Sequence, residues 1–189
     1  MRTKAIVMVL AALAAGGCVP DWAKSGDAPV VLLMTGINEG VPLSSDVSTC
    51  RADFVALRVE NHFKNPGVTN TGFRHDVTIE RYEVRYFRSD GRAVEGVDVP
   101  YRITGNVAQE VQEDASAVLS LEVVRAQAKL EPPLSILRKQ GGGQIVTMFA
   151  EVTLHARTTT LQTTNAVSAR LQIDFRDLGV GGCPSTPPL

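Results

Sequence analysis

The chain has 189 residues, of which 44% are hydrophobic and 21% charged, and its formal net charge is −1. These values are ordinary for a globular protein and exclude a wholly disordered chain, a collagen and a membrane protein with several spans. The sequence contains no run of five like charges, which argues against a nucleic-acid-binding surface or a polybasic membrane contact. The length predicts a single folded domain.

The amino terminus has the pattern of an export signal. Arg2 and Lys4 precede an apolar run of 11 residues over 5–15, and small residues then lead to Cys18. A run of this length is too short to cross a bilayer, which takes about 20 residues, but it is typical of the core of a signal peptide.

The tetrapeptide Ala-Gly-Gly-Cys at 15–18 resembles the lipobox of bacterial lipoproteins, although that family most often has leucine where this chain has Ala15. The resemblance implies that residues 1–17 are a signal peptide and that Cys18 carries diacylglycerol and a further fatty acid such as palmitate. Ordinary secretory cleavage after Ala14, which would leave a plain thiol, is the alternative.

The residue after the cysteine is Val19, not aspartate, and in lipoproteins this implies sorting to the outer membrane. Residues 18–29 are then a lipidated tether of at most about 35 Å, so the domain over 30–183 would lie close to the bilayer. Trp22 in the tether suits the membrane interface, although it is equally well read as an exposed linker residue. Residues 184–189 are a short tail.

Two cysteines remain once Cys18 is assigned to lipid. Proteins exported to an oxidising compartment tend to pair their thiols, so we expect a disulfide between Cys50 and Cys183, with two free buried thiols as the alternative. If the strands at Val30–Gly36 and Ala52–Glu60 open an immunoglobulin-like sandwich, both cysteines fall at the same end of it.

Apolar residues recur at every second position through most of the body, which predicts strands with one buried and one solvated face. The segments with this pattern are Phe54–Glu60, Val77–Phe87, Ala117–Arg125, Ile145–Arg157 and Val167–Phe175. Val97–Val107 is a weaker candidate, because Pro100 lacks an N–H and belongs on an edge or at a strand start.

The segment Val77–Phe87 changes phase, since Val77 and Ile79 are odd-numbered whereas Tyr82, Val84 and Tyr86 are even-numbered. A strand keeps its buried face across such a change only if one residue is extra, so we expect a β-bulge near Glu80-Arg81 and both tyrosines in the core. The Asp-Gly pair at 90–91 predicts a tight turn after the strand.

About seven strands predict an all-β fold, an antiparallel two-sheet immunoglobulin-like sandwich. Pro132 and Pro133, leucines that share a face, and Gly141 as a terminator predict one short helix that caps an end of the sandwich. The strand segments quoted above, with Asn65-Pro66 after an early strand, resemble small bacterial lipoproteins with one immunoglobulin-like or fibronectin-III-like domain. They also resemble the sandwich of desiccation-related late embryogenesis abundant domains.

The residue pattern gives no catalytic, metal or cofactor site. There is no Gly-x-Ser-x-Gly motif and no Cys-x-x-Cys pair, and His62, His75 and His155 are scattered, which is untypical of a nucleophilic triad or a zinc site. The carboxylates at Glu80 and Glu83, and those near 110–114, read as solvated faces.

The sequence therefore favours a non-enzymatic envelope lipoprotein, anchored in the membrane, that binds an envelope protein or has a structural role and does not bind nucleic acid. A stress-protective sandwich of the desiccation type is the second hypothesis, which rests on fold-level likeness. A metal-dependent binder or an enzyme is the third.

Overall fold

The computed structural model of the protein describes residues 26–65, 74–138, 140 and 143–179. They form eight strands in two sheets, a three-stranded sheet in the order β1-β3-β6 and a five-stranded sheet in the order β2-β8-β7-β4-β5. The strands are β1 (Val30–Ile37), β2 (Leu43–Asp46), β3 (Asp53–Phe63), β4 (Val77–Arg88), β5 (Ile103–Val111), β6 (Ser116–Val124), β7 (Ile145–Thr158) and β8 (Val167–Arg176). The prediction of an all-β, two-sheet domain is confirmed.

Alternation of apolar and polar residues produces the core between the sheets. Every second residue of β3 and β7 is buried, as the pleat requires. The inward side chains of these strands are Val55, Leu57, Val59, Met148, Ala150, Val152 and Leu154. Tyr82 and Tyr86 are also buried, as predicted.

Strand β4 contains the expected bulge. Ile79 pairs with Ala156 and Arg81 pairs with His155, so Glu80 is the extra residue opposite β7. Because of this insertion, Glu80 and Arg81 are both exposed, while Ile79 and Tyr82 on either side are both buried. The bulge therefore places two consecutive charged side chains on the outer face of the sheet.

The strand predicted at Val97–Val107 begins later, at Ile103, and forms the β5 edge of the sheet. Before it, the N–H groups of Val97, Asp98 and Val99 all lie within hydrogen-bond distance of the Val94 carbonyl. Pro100 follows this tight turn and has no N–H to continue a ladder. The predicted Asp-Gly turn is present, with Gly91 at φ +83°.

The short strand β2 was not predicted. It pairs in parallel with the last strand, Leu43 with Ile173 and Asp46 with Arg176, so the five-stranded sheet is mixed and not purely antiparallel. The four residues Leu-Ser-Ser-Asp contain one apolar side chain, which is too little for a period to be recognised. This sheet also curls into a half-barrel, which departs from the flatter sheets of an immunoglobulin-like sandwich.

The prediction of one short capping helix is wrong. The segment between β6 and β7 contains two 3₁₀ turns, Gln127–Leu130 and Leu134–Leu137, separated by extended backbone at Glu131. A residue that precedes a proline is disfavoured in the α region, and Glu131 precedes Pro132. The segment still covers an end of the sandwich, because Leu134 and Leu137 are buried in the main core. Gly141, the expected terminator, lies outside the described residues.

The strand directions define two opposite ends of the domain. The entry end contains the start of β1, the turns 112–115 and 158–166, and the first described residues. The Ala28 N–H donates to the Thr163 carbonyl at 3.1 Å and the Lys64 Nζ donates to the Gly26 carbonyl at 2.9 Å. The distal end contains the loops 89–102 and 125–138 and the end of β8. Residues 26–29, predicted as tether, thus pack on the domain.

Candidate functional site

A groove of about 490 Å³ lies on the outer face of the five-stranded sheet, at the bulge. Seven of its nine lining residues are polar or charged, and the lining comes from β4, β5, β7 and the turn before β8. The lining residues are Glu80, Arg81, Asn106, His155, Ala156, Arg157, Thr163, Thr164 and Ala166. A groove with these walls can hold a polar ligand through hydrogen bonds and charge.

Three of these side chains form a row across the sheet. Arg81 pairs with Asn106 on one neighbouring strand and with His155 on the other. Directly paired residues share a face, with their Cβ atoms about 5 Å apart. Strand register therefore brings a guanidinium, an amide and an imidazole together from positions far apart in the sequence.

The electrostatics of the groove are set by its arginines. Arg157 Nε lies 3.5 Å from Glu80 Oε2, so these two charges offset each other. Burial and then the charge of Arg81 lower the pKa of His155 below its usual value, and the imidazole is neutral at pH 7. His155 Nε2 is buried with no hydrogen-bond partner in the described structure. The groove thus has one surplus positive charge, that of Arg81.

The groove is next to the place where the chain enters the domain. Thr163 and Thr164 line it, and the same two residues lie against Gly26, where a Cβ would be 2.6 Å from the Thr163 carbonyl oxygen. Gly26 also has φ +96°, a conformation that favours glycine. The entry segment and the groove are therefore held together by tight backbone contact.

The distal end is built differently, around a buried lysine. Lys129 has no exposed side-chain surface, and its Nζ lies 3.0 Å from the Asp53 carboxylate and 3.4 Å from Thr49 Oγ1. Ser45 Oγ donates to the same carboxylate at 2.6 Å. This network attaches the 125–138 segment to the loop after β2.

Exposed apolar side chains are concentrated at the distal end. Ten large hydrophobic residues of the described part of the chain are exposed, and six of them lie on loops or strand ends there. The six are Val94, Val97, Tyr101, Ile136, Ile145 and Leu178. The entry end has Leu161. Exposed apolar side chains that form a contiguous patch are typical of surfaces that contact a partner, whereas singly scattered ones are ordinary.

Two of the three histidines, His75 and His62, make contacts that stabilise the fold. His75 uses its backbone, donating its N–H to Glu113 and accepting a bond from Asn61 Nδ2, both at 2.9 Å. Its ring packs edge-on against Phe63, with the centroids 5.7 Å apart. His62 Nε2 is 3.0 Å from Glu60 on a partly exposed face. The hydrogen bond from His62 lowers the pKa of Glu60.

The acidic residues named in the sequence analysis do not come together in one site. Glu83 pairs with Arg85 at 2.7 Å, which lowers the pKa of Glu83, whereas Glu80 faces Arg157. In the 112–115 turn, the Glu113 N–H donates to Asp76 Oδ1 at 3.0 Å. No group of three His, Cys, Asp or Glu side chains within the described ranges is placed to hold a metal ion.

The site residues predicted from the sequence are the three cysteines, and two of them, Cys18 and Cys183, lie outside the described residues. Cys50 follows β2 at the distal end. Nearby, the Val47 N–H donates to the Arg176 carbonyl at 2.9 Å and the Leu178 N–H donates to Asp46 Oδ1 at 3.1 Å. The chain that leads to Cys183 therefore leaves β8 beside the loop of Cys50, and the disulfide stays a prediction.

Sequence reasoning missed the groove, because its residues come from four separate segments. In the sequence, Arg81 was identified only as part of the expected bulge, and His155 only as one of three scattered histidines. The change of phase at Glu80 was the usable signal, since bulges are over-represented next to functional sites. Lys129 gave no signal, because nothing local distinguishes a buried lysine from a solvated one.

No family model matches this chain, and no curated protein matches it. Among the described residues, no helix is long and apolar enough to span a membrane.

Solved structures give weak resemblances. One is the solution structure of a protein provisionally assigned as late embryogenesis abundant, 12% identical, with 79% of this chain and 72% of that chain covered and a TM-score of 0.42. Another is a structural-genomics target, 5% identical over 85% of this chain and 96% of that chain, with a TM-score of 0.36. A third is a protein from Bordetella pertussis provisionally assigned as ApaA, 13% identical over 79% and 96%, with a TM-score of 0.33. None of these carries an argument about function.

Proposed function

We propose that the protein is a lipoprotein of the bacterial cell envelope, anchored by acylated Cys18 in the outer membrane, and that its sandwich is a non-enzymatic binding module. The domain is proposed to be a variant of the immunoglobulin-like sandwich. Its partner is an envelope protein, contacted through the distal end.

One observation carries the proposal: the chain enters the sandwich at one end, and the exposed apolar side chains are concentrated at the other. Gly26 is only eight positions after Cys18, a distance of at most about 28 Å when extended. An anchor of this length would hold the entry end close to the bilayer. Val97, Tyr101 and Ile136 would then face away from the membrane, where a partner can reach them.

The buried network at the distal end supports a binding role for that surface. The Lys129–Asp53 pair fixes the 125–138 segment that presents Ile136, and Leu134 and Leu137 anchor the same segment in the core. A surface held in one conformation loses little entropy when it binds. The loop is thus preorganised for contact.

The anchor is tested by metabolic labelling of cells with an alkyne analogue of palmitate. We expect the wild-type protein to be labelled and to sediment with outer membranes, and the Cys18→Ala variant to lose both properties. Cys183→Ala is the matched control and should keep the label. A mature product that begins at Ala15, after cleavage behind Ala14, and that carries no acyl mass on Cys18 would contradict the anchor.

The binding surface is tested by a photo-crosslinking amino acid placed in the full-length protein in cells. We expect discrete adducts from positions 97 and 136 at the distal end and none from position 161, an exposed apolar residue at the entry end. A Val97→Glu substitution should abolish the adduct formed from position 136. Equal crosslinking from position 161 would contradict a distal binding surface.

A further inference from the structure

The groove at the bulge contains hydrogen-bond donors that nothing in the described part of the chain uses. Arg81 has no carboxylate partner there, and the buried His155 Nε2 has no hydrogen-bond partner. The exposed Asn106 amide makes no hydrogen bond to a side chain or backbone group in the described part of the chain. Arg85, Arg102 and Arg157 on the same sheet each have a carboxylate, at 2.7, 2.8 and 3.5 Å. The unpaired groups are the three that register places in one row.

We propose that this groove binds an oxyanion, the phosphate of a lipid headgroup or free phosphate, with Arg81 as its main contact. A guanidinium presents two parallel N–H donors to two oxygens of a phosphate. The Asn106 amide adds a third donor from the next strand. The neutral imidazole of His155 supplies an N–H from the other side, in the tautomer protonated on Nε2.

The charge balance of the groove fits a singly charged oxyanion. The Glu80 carboxylate is offset by Arg157 at 3.5 Å, which leaves the positive charge of Arg81. The low pKa of His155 keeps a second charge off the imidazole. A phosphodiester carries one negative charge, so its headgroup matches this balance.

The position of the groove favours a lipid headgroup as the source. Thr163 and Thr164 line the groove and contact the entry segment at Gly26. If the entry end faces the bilayer, the groove is at headgroup level, and this part of the inference rests on the proposed function. Binding of free phosphate does not depend on the anchor, so the two proposals can fail separately.

The test is a titration of the full mature protein in zwitterionic detergent, followed by ¹⁵N NMR of the arginine Nε and asparagine amide signals. Inorganic phosphate is the first probe, and vesicles of phosphatidylglycerol, with phosphatidylcholine vesicles as reference, are the second. We expect saturable shifts of the Arg81 and Asn106 side-chain signals with phosphate. Arg81→Gln should weaken binding about tenfold or more, since charge-assisted bonds are the strong ones.

Arg58→Gln is the matched control, because Arg58 is an exposed arginine on the other sheet, and it should leave the affinity unchanged. Circular dichroism establishes that both variants are folded. Binding of both phosphate and phosphatidylglycerol supports the headgroup source, and binding of phosphate alone supports a soluble ligand. Shifts that do not saturate, or that persist in Arg81→Gln, would overturn the oxyanion site.

Discussion

The Lys129 ammonium lies 3.0 Å from the Asp53 carboxylate, and no part of the Lys129 side chain is exposed. Asp53 begins β3 in the three-stranded sheet, and Lys129 lies in the 3₁₀ turn that follows β6. A buried charge is stable only when it is paired and hydrogen-bonded. The carboxylate and the Thr49 hydroxyl meet this requirement, so the pair fixes where the distal segment docks.

Removal of the Asp53 carboxylate should destabilise the folded protein more than removal of the Lys129 ammonium. Asp53→Asn removes the carboxylate that directly contacts the buried ammonium, and we expect it to lower the free energy of unfolding by about 3 kcal/mol or more. Lys129→Met keeps most of the packing and leaves Asp53, which is partly exposed and still accepts a bond from Ser45. Lys129→Met should therefore lower the free energy of unfolding by less than Asp53→Asn does, as measured by urea denaturation of the mature protein.

The exposed pair of Arg170 and Glu151, also 3.0 Å apart, is the control for this comparison. Glu151→Gln should change the free energy of unfolding by less than about 1 kcal/mol, because surface ion pairs are weak. Losses of similar size for Asp53→Asn and Glu151→Gln would show that the distal pair does not stabilise the fold.

The Asn165 side chain completes the edge of β1. Its Oδ1 accepts from the Leu32 N–H at 2.9 Å and its Nδ2 donates to the Leu32 carbonyl at 2.8 Å. Asn165→Ala leaves both backbone groups unpaired in a buried site, so we expect a loss of about 2–4 kcal/mol in the free energy of unfolding. Hydrogen exchange at the Leu32 amide should accelerate.

Asn165→Asp separates the two halves of this contact. The carboxylate can still accept from the Leu32 N–H, but it has no donor for the Leu32 carbonyl. We expect the Leu32 amide to stay protected while the protein loses stability. Fast exchange of that amide in both variants relative to the wild type would mean that Asn165 acts only through packing.

The sequence was a sufficient guide wherever one face of a strand is apolar. The change of phase between Ile79 and Tyr82 located the bulge at Glu80, because a buried face can be kept only by inserting a residue. The same alternation placed Tyr82 and Tyr86 in the core. Local periodicity therefore determined strand positions, but not which strands are neighbours.

Features that depend on pairing between distant strands could not be predicted. The row of Asn106, Arg81 and His155 exists only because β5, β4 and β7 are adjacent in register. Strand β2 is held by β8, more than a hundred residues later. Lys129 is buried by its tertiary partners and not by its neighbours in sequence.

The cysteine pairing gives a chemical prediction. The hydrogen bond between Leu178 and Asp46 brings two segments of the chain together. The segment after Asp46 contains Cys50, and the segment after Leu178 leads to Cys183. We expect the unreduced mature protein to have no thiol that alkylates under denaturing conditions, and the reduced protein to have two. Loss of the bond should cost about 2–4 kcal/mol in the free energy of unfolding.

The single variants Cys50→Ser and Cys183→Ser are the controls for this pairing. Each should release one alkylatable thiol without reduction, at the remaining cysteine, as located by peptide mass mapping. Two labelled cysteines in the unreduced wild-type protein would contradict the disulfide.

Tyr86 makes stability depend on pH in the alkaline range. Its hydroxyl is buried and donates to the Val123 carbonyl at 2.6 Å, and burial raises the pKa of the phenol above its usual value of 10.0. In the unfolded chain the phenol loses its proton near pH 10, whereas in the folded protein it keeps it. The unfolded state then binds fewer protons, so this contribution to stability is complete below pH 10 and is lost as the pH rises further.

Tyr86→Phe isolates this effect. Below pH 10 the variant should be about 1–2 kcal/mol less stable than the wild type, because the buried Val123 carbonyl loses its donor. Above pH 10 that difference should shrink by about 1.4 kcal/mol per pH unit, since only the wild type has the Tyr86 proton to lose on unfolding. Urea denaturation of both proteins between pH 8 and about pH 11 measures the difference. A difference that stays constant across this range would mean that the Tyr86 phenol loses its proton at the same pH in the folded and unfolded states, and would contradict the prediction.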